Sequence, residues 1–75
     1  MTTADGLHRA LLQAHQLNDI EALAYLYTDA ADAKELDEEI DATCFYLTHA
    51  LVYALQAGLN EHSALRARLQ AYGRV

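Results

Sequence analysis

The chain has no proline, three glycines in 75 residues and a single cysteine, and each shortage closes off an architecture. Hairpins and tight β turns depend on Gly, Pro, Asn and Asp at fixed positions, so a sequence this poor in the first two is not expected to build an all-β domain. Cys44 alone cannot close an intramolecular disulfide, and no Cys/His spacing of the zinc type is present. Basic residues are also scarce: five Lys and Arg stand against eleven Asp and Glu, for a formal net charge of −6. Such a surface repels a phosphate backbone, which argues against nucleic acid as a partner.

Long apolar runs are missing too. The longest stretch without Asp, Glu, Lys or Arg, residues 42–60, is interrupted by Thr43, Thr48, His49, Gln56 and Gly58. A membrane span needs about 20 mostly apolar residues, so this stretch reads as a buried helix and no membrane partner is expected. No basic-then-apolar segment marks a secretory signal, and a lone reduced thiol is ordinary in the cytoplasm, the expected location.

What the chain does have is 53% hydrophobic residues, dominated by Ala and Leu, and these favour helix. The expected fold is all-α: one small domain over residues 1–75, a small antiparallel bundle of three to four helices at approximately 6–17, 19–33, 37–57 and 61–72. Residues 1–5 are expected to be disordered. A core of this size supplies only about 3 to 5 kcal/mol, which makes a partner subunit a natural source of further stability.

In the first helix, after an Asp5 cap, Leu7, Ala10, Leu11, Ala14 and Leu17 share one face, with His8, Gln13, His15 and Gln16 pointing away. Asn18 and Glu21 suggest a capping box for the second helix, whose stripe is Ile20, Leu23, Ala24, Leu26, Tyr27, Ala30 and Ala31. Asp37, Glu38, Glu39 and Asp41 are placed in the first turns of the third helix, where acidic charge complements the dipole. Gly58 with Leu59 predicts a Schellman end. Asn60 then caps a fourth helix with Leu65, Leu69 and Tyr72 inward and Arg66, Arg68 and Arg74 toward its end.

The third helix carries two apolar faces. Ile40, Cys44, Leu47, Leu51, Ala54 and Leu55 form the expected core stripe. On the other side Ala42, Phe45, Tyr46, His49, Val52, Tyr53 and Gln56 hold no charge, where an ordinary surface helix would show Glu, Lys and Arg. Either the other helices surround this one, or Phe45, Tyr46, His49, Val52, Tyr53 and Gln56 form an interface with a protein partner or a second copy, since Tyr and Phe are enriched at interface centres.

Catalytic and metal constellations are not expected. Cys44 and His49, five apart, turn to opposite sides of one helix. His8 and His15 lie on one side but about 10 Å apart along the axis, too far for one ion. An EF-hand loop from Asp29 would need an oxygen ligand at Ala31 and a glycine at Lys34, so the acidic run reads as a solvated face.

Ala30, Ala42 and Tyr46 fall at the small, small and aromatic positions of a helical hairpin that resembles a single degenerate tetratricopeptide-type repeat, covering less than half the chain. It departs from that pattern at Asp37, His49 and Asn60. The resemblance implies binding of peptide or protein through helix faces, and no catalysis. The function expected from the sequence is therefore a non-enzymatic protein-interaction or self-association module, most simply a homodimer, without cofactor or metal. The alternative is a small-molecule or regulatory-ligand module with a pocket near His49, Tyr53 and Cys44.

Overall fold

A computed structural model describes residues 4–75, and among them the chain forms four helices and no strand: α1 (Ala4–Leu17), α2 (Ile20–Leu36), α3 (Ile40–Ala57) and α4 (His62–Ala71). The expected all-α bundle is present. Residues 1–3, where most of the expected disorder falls, lie outside the described residues; α1 already includes Asp5, the residue expected to precede it as a cap.

Every helix ends the same way. A residue in the left-handed region follows each one: Asn18 (φ 52°), Glu38 (φ 59°), Gly58 (φ 70°) and Gly73 (φ 73°). In each case the next amide reaches back to the carbonyl five residues earlier, as in Asp19 to Ala14 at 2.9 Å and Leu59 to Ala54 at 2.9 Å. The equivalent bonds from Glu39 to Lys34 and from Arg74 to Leu69 are both 3.0 Å. These are Schellman closures, which satisfy carbonyls that a helix end leaves without amides.

The observed helix boundaries correct three of the sequence expectations. Asn18 ends α1 instead of capping α2, and Asp19 takes the cap, its carboxylate accepting from the Ala22 amide at 3.2 Å. Helix α2 continues to Leu36, so Asp37 caps its C-terminus and Asp37, Glu38 and Glu39 form the connection, leaving Asp41 as the acid in the first turn of α3. Helix α4 begins at His62 with Glu61, not Asn60, at the cap position.

The backbone packs in sequence order, α1 on α2, α2 on α3 and α3 on α4. The Cα envelope measures 32 × 29 × 17 Å, a slab about two helices thick for axes 8–10 Å apart. Side chains then tie each helix to the next but one: Arg68 of α4 pairs with Asp32 (2.8 Å) and Glu35 (3.3 Å) of α2, and Tyr72 donates its hydroxyl to Glu35. With Tyr25 donating to Glu61 at 3.2 Å, these pairs run up both helices in the same direction, so α4 is parallel to α2 and antiparallel to α3.

Alanine makes the core thin. Ala24, Ala31, Ala50 and Ala54 let α2 and α3 approach closely around Leu47, which is completely buried, and Leu65 and Leu69 of α4 close the other side. Thr43 is also fully buried, and its hydroxyl donates to the Glu39 carbonyl at 2.8 Å, so it carries no unsatisfied polar atom inward. The expected core stripe of α3 holds at Cys44, Leu47, Leu51 and Ala54 but fails at Ile40 (38% exposed) and Leu55 (48% exposed). The buried arc is turned toward Thr43 and Ala50 because α2, not α4, supplies most of the wall it packs on.

Candidate functional site

The six predicted interface residues of α3 divide into a covered half, whose tyrosines pack against the edge of this core, and an open half. Tyr46, His49 and Tyr53 are half-buried, and all three surround Tyr27 of α2. The ring of Tyr27 stacks on Tyr53 (centroids 5.7 Å, planes 13° apart) and on Tyr46 (6.1 Å, 29°), with His49 at 5.2 Å. Arrangements of this kind contribute about 0.5 to 1.5 kcal/mol per aromatic pair beyond area burial. Burial among these rings raises the Tyr27 phenol above its ordinary pKa, with Tyr53 and Tyr46 adding to the effect.

Helix α1 reaches the cluster from the solvent side through His15, which is itself exposed. His15 Nε2 lies 2.9 Å from the Tyr27 hydroxyl, and the imidazole meets Tyr27 and Tyr53 edge-on at 5.9 and 6.2 Å. The sequence pattern turns His15 away with His8, Gln13 and Gln16, and it misses this role because a long side chain at the border of an amphipathic stripe can reach a neighbouring helix. Leu12, on the polar side of α1, and Leu17 are both more than half exposed.

The open half is a ridge along α3. Phe45 (57% exposed), Val52 (45%) and Leu55 (48%) project from it, with Thr48 between them and Gln56 one turn beyond Val52 also exposed. Phe45, Thr48, Val52 and Leu55 follow three-four-three spacing, the spacing of a coiled-coil seam. Leu55 therefore belongs to the ridge and was missing from the predicted interface. Asp41, one turn before Phe45 on the same side and 94% exposed, pairs with Arg74 at 2.7 Å; the ridge residues from Phe45 to Leu55 carry no charge themselves.

A groove of about 270 Å³ runs beside the ridge, lined by Thr48, His49, Val52, Tyr53 and Gln56. Cys44 does not reach it. The thiol is buried and lines a separate cleft with Asp41, Phe45, Thr48 and Arg74. The pocket expected from the sequence near His49, Tyr53 and Cys44 is thus two depressions on different sides of Phe45 and Thr48.

His49 lies 4.5 Å from the Phe45 ring and 5.2 Å from Tyr27, between two apolar surfaces. Among the described residues no group of three or more His, Cys, Asp or Glu side chains could hold a metal ion, and no helix is long and apolar enough to cross a membrane. Comparison of the chain with family models, curated proteins and solved structures finds no match.

Proposed function

We propose that this chain is a non-enzymatic, cytoplasmic self-association module that pairs with a second copy of itself through the ridge of α3. The uncharged line of Phe45, Thr48, Val52 and Leu55 carries this reading. The rest of the chain bears the net charge of −6, and two copies meeting elsewhere would bring like charges together. On the ridge, an antiparallel two-fold contact whose axis crosses α3 midway between Thr48 and Val52 sets Phe45 against Leu55 of the second copy and Thr48 against Val52, so the same residues serve both sides of the contact.

The slab supports the same reading, because a domain two helices thick buries little surface by itself and gains stability from a partner. So does the resemblance of the α2 to α3 hairpin to a tetratricopeptide-type unit, which works through helix faces. One helix meeting one helix buries less than the roughly 1,200 Å² of a standard-size interface, so the association is weak and readily reversed.

Sedimentation equilibrium over a wide concentration range tests the proposal. A rise in weight-average mass toward two chains, abolished by Val52→Arg with helical content unchanged, is the expected result; a protein that remains monomeric throughout overturns it. Val52 is the residue to charge because it is exposed, whereas charging Tyr53 would strike the Tyr27 cluster.

The groove beside His49 and Tyr53 favours a second reading, a regulatory small-molecule module. That alternative predicts a ligand-dependent rise in melting temperature with no dependence on protein concentration.

A further inference from the structure

On the side of α3 opposite the ridge, α2, α3 and α4 do not meet completely. Where α4 crosses, the facing positions are small, Ala24 and Thr28 of α2, Ala54 of α3 and Ala64 of α4, and they leave a hollow of about 140 Å³. Leu59 and Leu65 complete its walls. Thr28 spends its hydroxyl on the Ala24 carbonyl at 2.8 Å, which leaves its methyl as the group free to line the hollow. An apolar cavity of about 150 Å³ accommodates a benzene-sized body.

Polar character is confined to the mouth. Tyr25 donates its hydroxyl to the Glu61 carboxylate there at 3.2 Å, a long bond that a stronger donor could replace. Arg68 also lines the hollow, but its guanidinium is committed to Asp32 and Glu35, so the stem is what it offers. At the Tyr25 end the acids are Glu61, which lines the hollow, and Glu21, close enough to act on the Tyr25 phenol, and they leave this end of the cleft negative. The Tyr25 phenol registers the same environment: desolvation first, then Glu61 and Glu21, hold it above its ordinary pKa.

We propose that this hollow is a binding site for a small amine with an apolar body of about phenyl size, the body seated against Thr28, Leu59 and Ala64 over the buried Ala24, Ala54 and Leu65, and the ammonium held by Glu61 at the mouth. A charge-assisted bond from the ammonium replaces the neutral one from Tyr25, whose ring face is then available to the cation. A neutral ligand of the same shape fills the hollow but leaves Glu61 without a cation, and an anion is repelled. The site is independent of the ridge and needs one copy of the chain.

Benzylamine and benzyl alcohol differ at the one group that matters, and calorimetric titration of the full chain with each at low salt is the test. With about eight non-hydrogen atoms, benzylamine is expected to bind with a Kd on the order of millimolar and about tenfold more tightly than the alcohol. Glu61→Gln brings the two ligands to similar affinity with the thermal midpoint unchanged. Ala64→Leu, at an exposed position, fills the mouth and removes binding of both. Absence of saturable benzylamine binding below about 10 mM, equal affinity for amine and alcohol in the unaltered chain, or full binding retained in either variant overturns the proposal. Were Ala64→Leu to unfold the chain, the Glu61→Gln comparison decides alone.

Discussion

His15 and Tyr27 stand twelve residues apart on different helices, and the 2.9 Å contact between imidazole Nε2 and phenolic oxygen is the polar link between α1 and the aromatic cluster on α3. Around it the interaction is a matter of rings. Tyr27→Phe keeps the stacking and loses the hydrogen bond, so it should lower stability by about 0.5 to 1.5 kcal/mol. Tyr27→Ala removes the ring on which Tyr46, His49 and Tyr53 all rest and should cost about 3 to 5 kcal/mol, toward the low end because the site is only half-buried. Urea unfolding of the two variants measures the difference, and amide exchange in α1 should quicken in both.

Glu38 adopts a positive φ that an L side chain disfavours, although Gly58 and Gly73 serve the same closure elsewhere. Glu38→Gly should therefore stabilise the protein by about 0.5 to 1 kcal/mol, the relief of left-handed strain exceeding the added freedom of the unfolded chain. The check is a higher urea midpoint with an unchanged slope. A lower midpoint would mean that the Glu38 charge makes a contribution its conformation does not suggest.

The Tyr72 to Glu35 hydrogen bond gives stability a dependence on pH at both ends. The bond from Tyr72, aided by Arg68, holds the Glu35 carboxyl below its usual 4.5, so the contribution of Glu35 is complete above that pH and is lost as pH falls through the lower folded value. The same bond raises Tyr72 above its usual 10.0, so its contribution is complete below that pH and is lost as pH rises through the higher folded value. Tyr72→Phe should flatten the alkaline limb and weaken the acid one, where Arg68 still favours the carboxylate. Both groups are partly solvated, so the effects are small and are best read from urea midpoints across pH.

Leu47 and Leu55 lie eight residues apart on what the helical pattern makes one stripe, and the structure separates them. Leu47 is wholly buried while Leu55 is 48% exposed. Leu47→Ala should cost about 2 to 5 kcal/mol and Leu55→Ala well under 1 kcal/mol in the single chain. At concentrations where the chain self-associates, Leu55→Ala should instead weaken the dimer, a second and independent test of the ridge.

The all-α class, the inward faces of α2 and α4 and the Gly58 closure with Leu59 were legible from spacing and from glycine chemistry, while spacing leaves the choice between three and four helices open. The turn at residues 37–39 was not. Acidic residues are favourable at a helix N-terminus and the pattern placed them there, yet the backbone carries α2 through Leu36 and closes it on a left-handed Glu38. Nor could Asn18 be told apart from Asp19, since either residue can cap a helix and Asn also tolerates the left-handed conformation that ends one. The predicted interface was legible as an uncharged face but not as two halves.

Local interactions are written along the chain. Composition, three-and-four periodicity and the residues that tolerate a positive φ fix where helices form and roughly where they end, because each depends on neighbours within a few positions. The side of α3 that stays open depends on where α1 and α4 come to rest. Only the packed structure shows that His15 reaches Tyr53, that Arg68 crosses to Asp32, and that the small residues of three helices leave a hollow beneath Tyr25. The first two relations join residues 38 and 36 positions apart and the hollow joins Ala24 to Ala64, 40 apart, and a helical repeat carries no information about which helix will lie against which face.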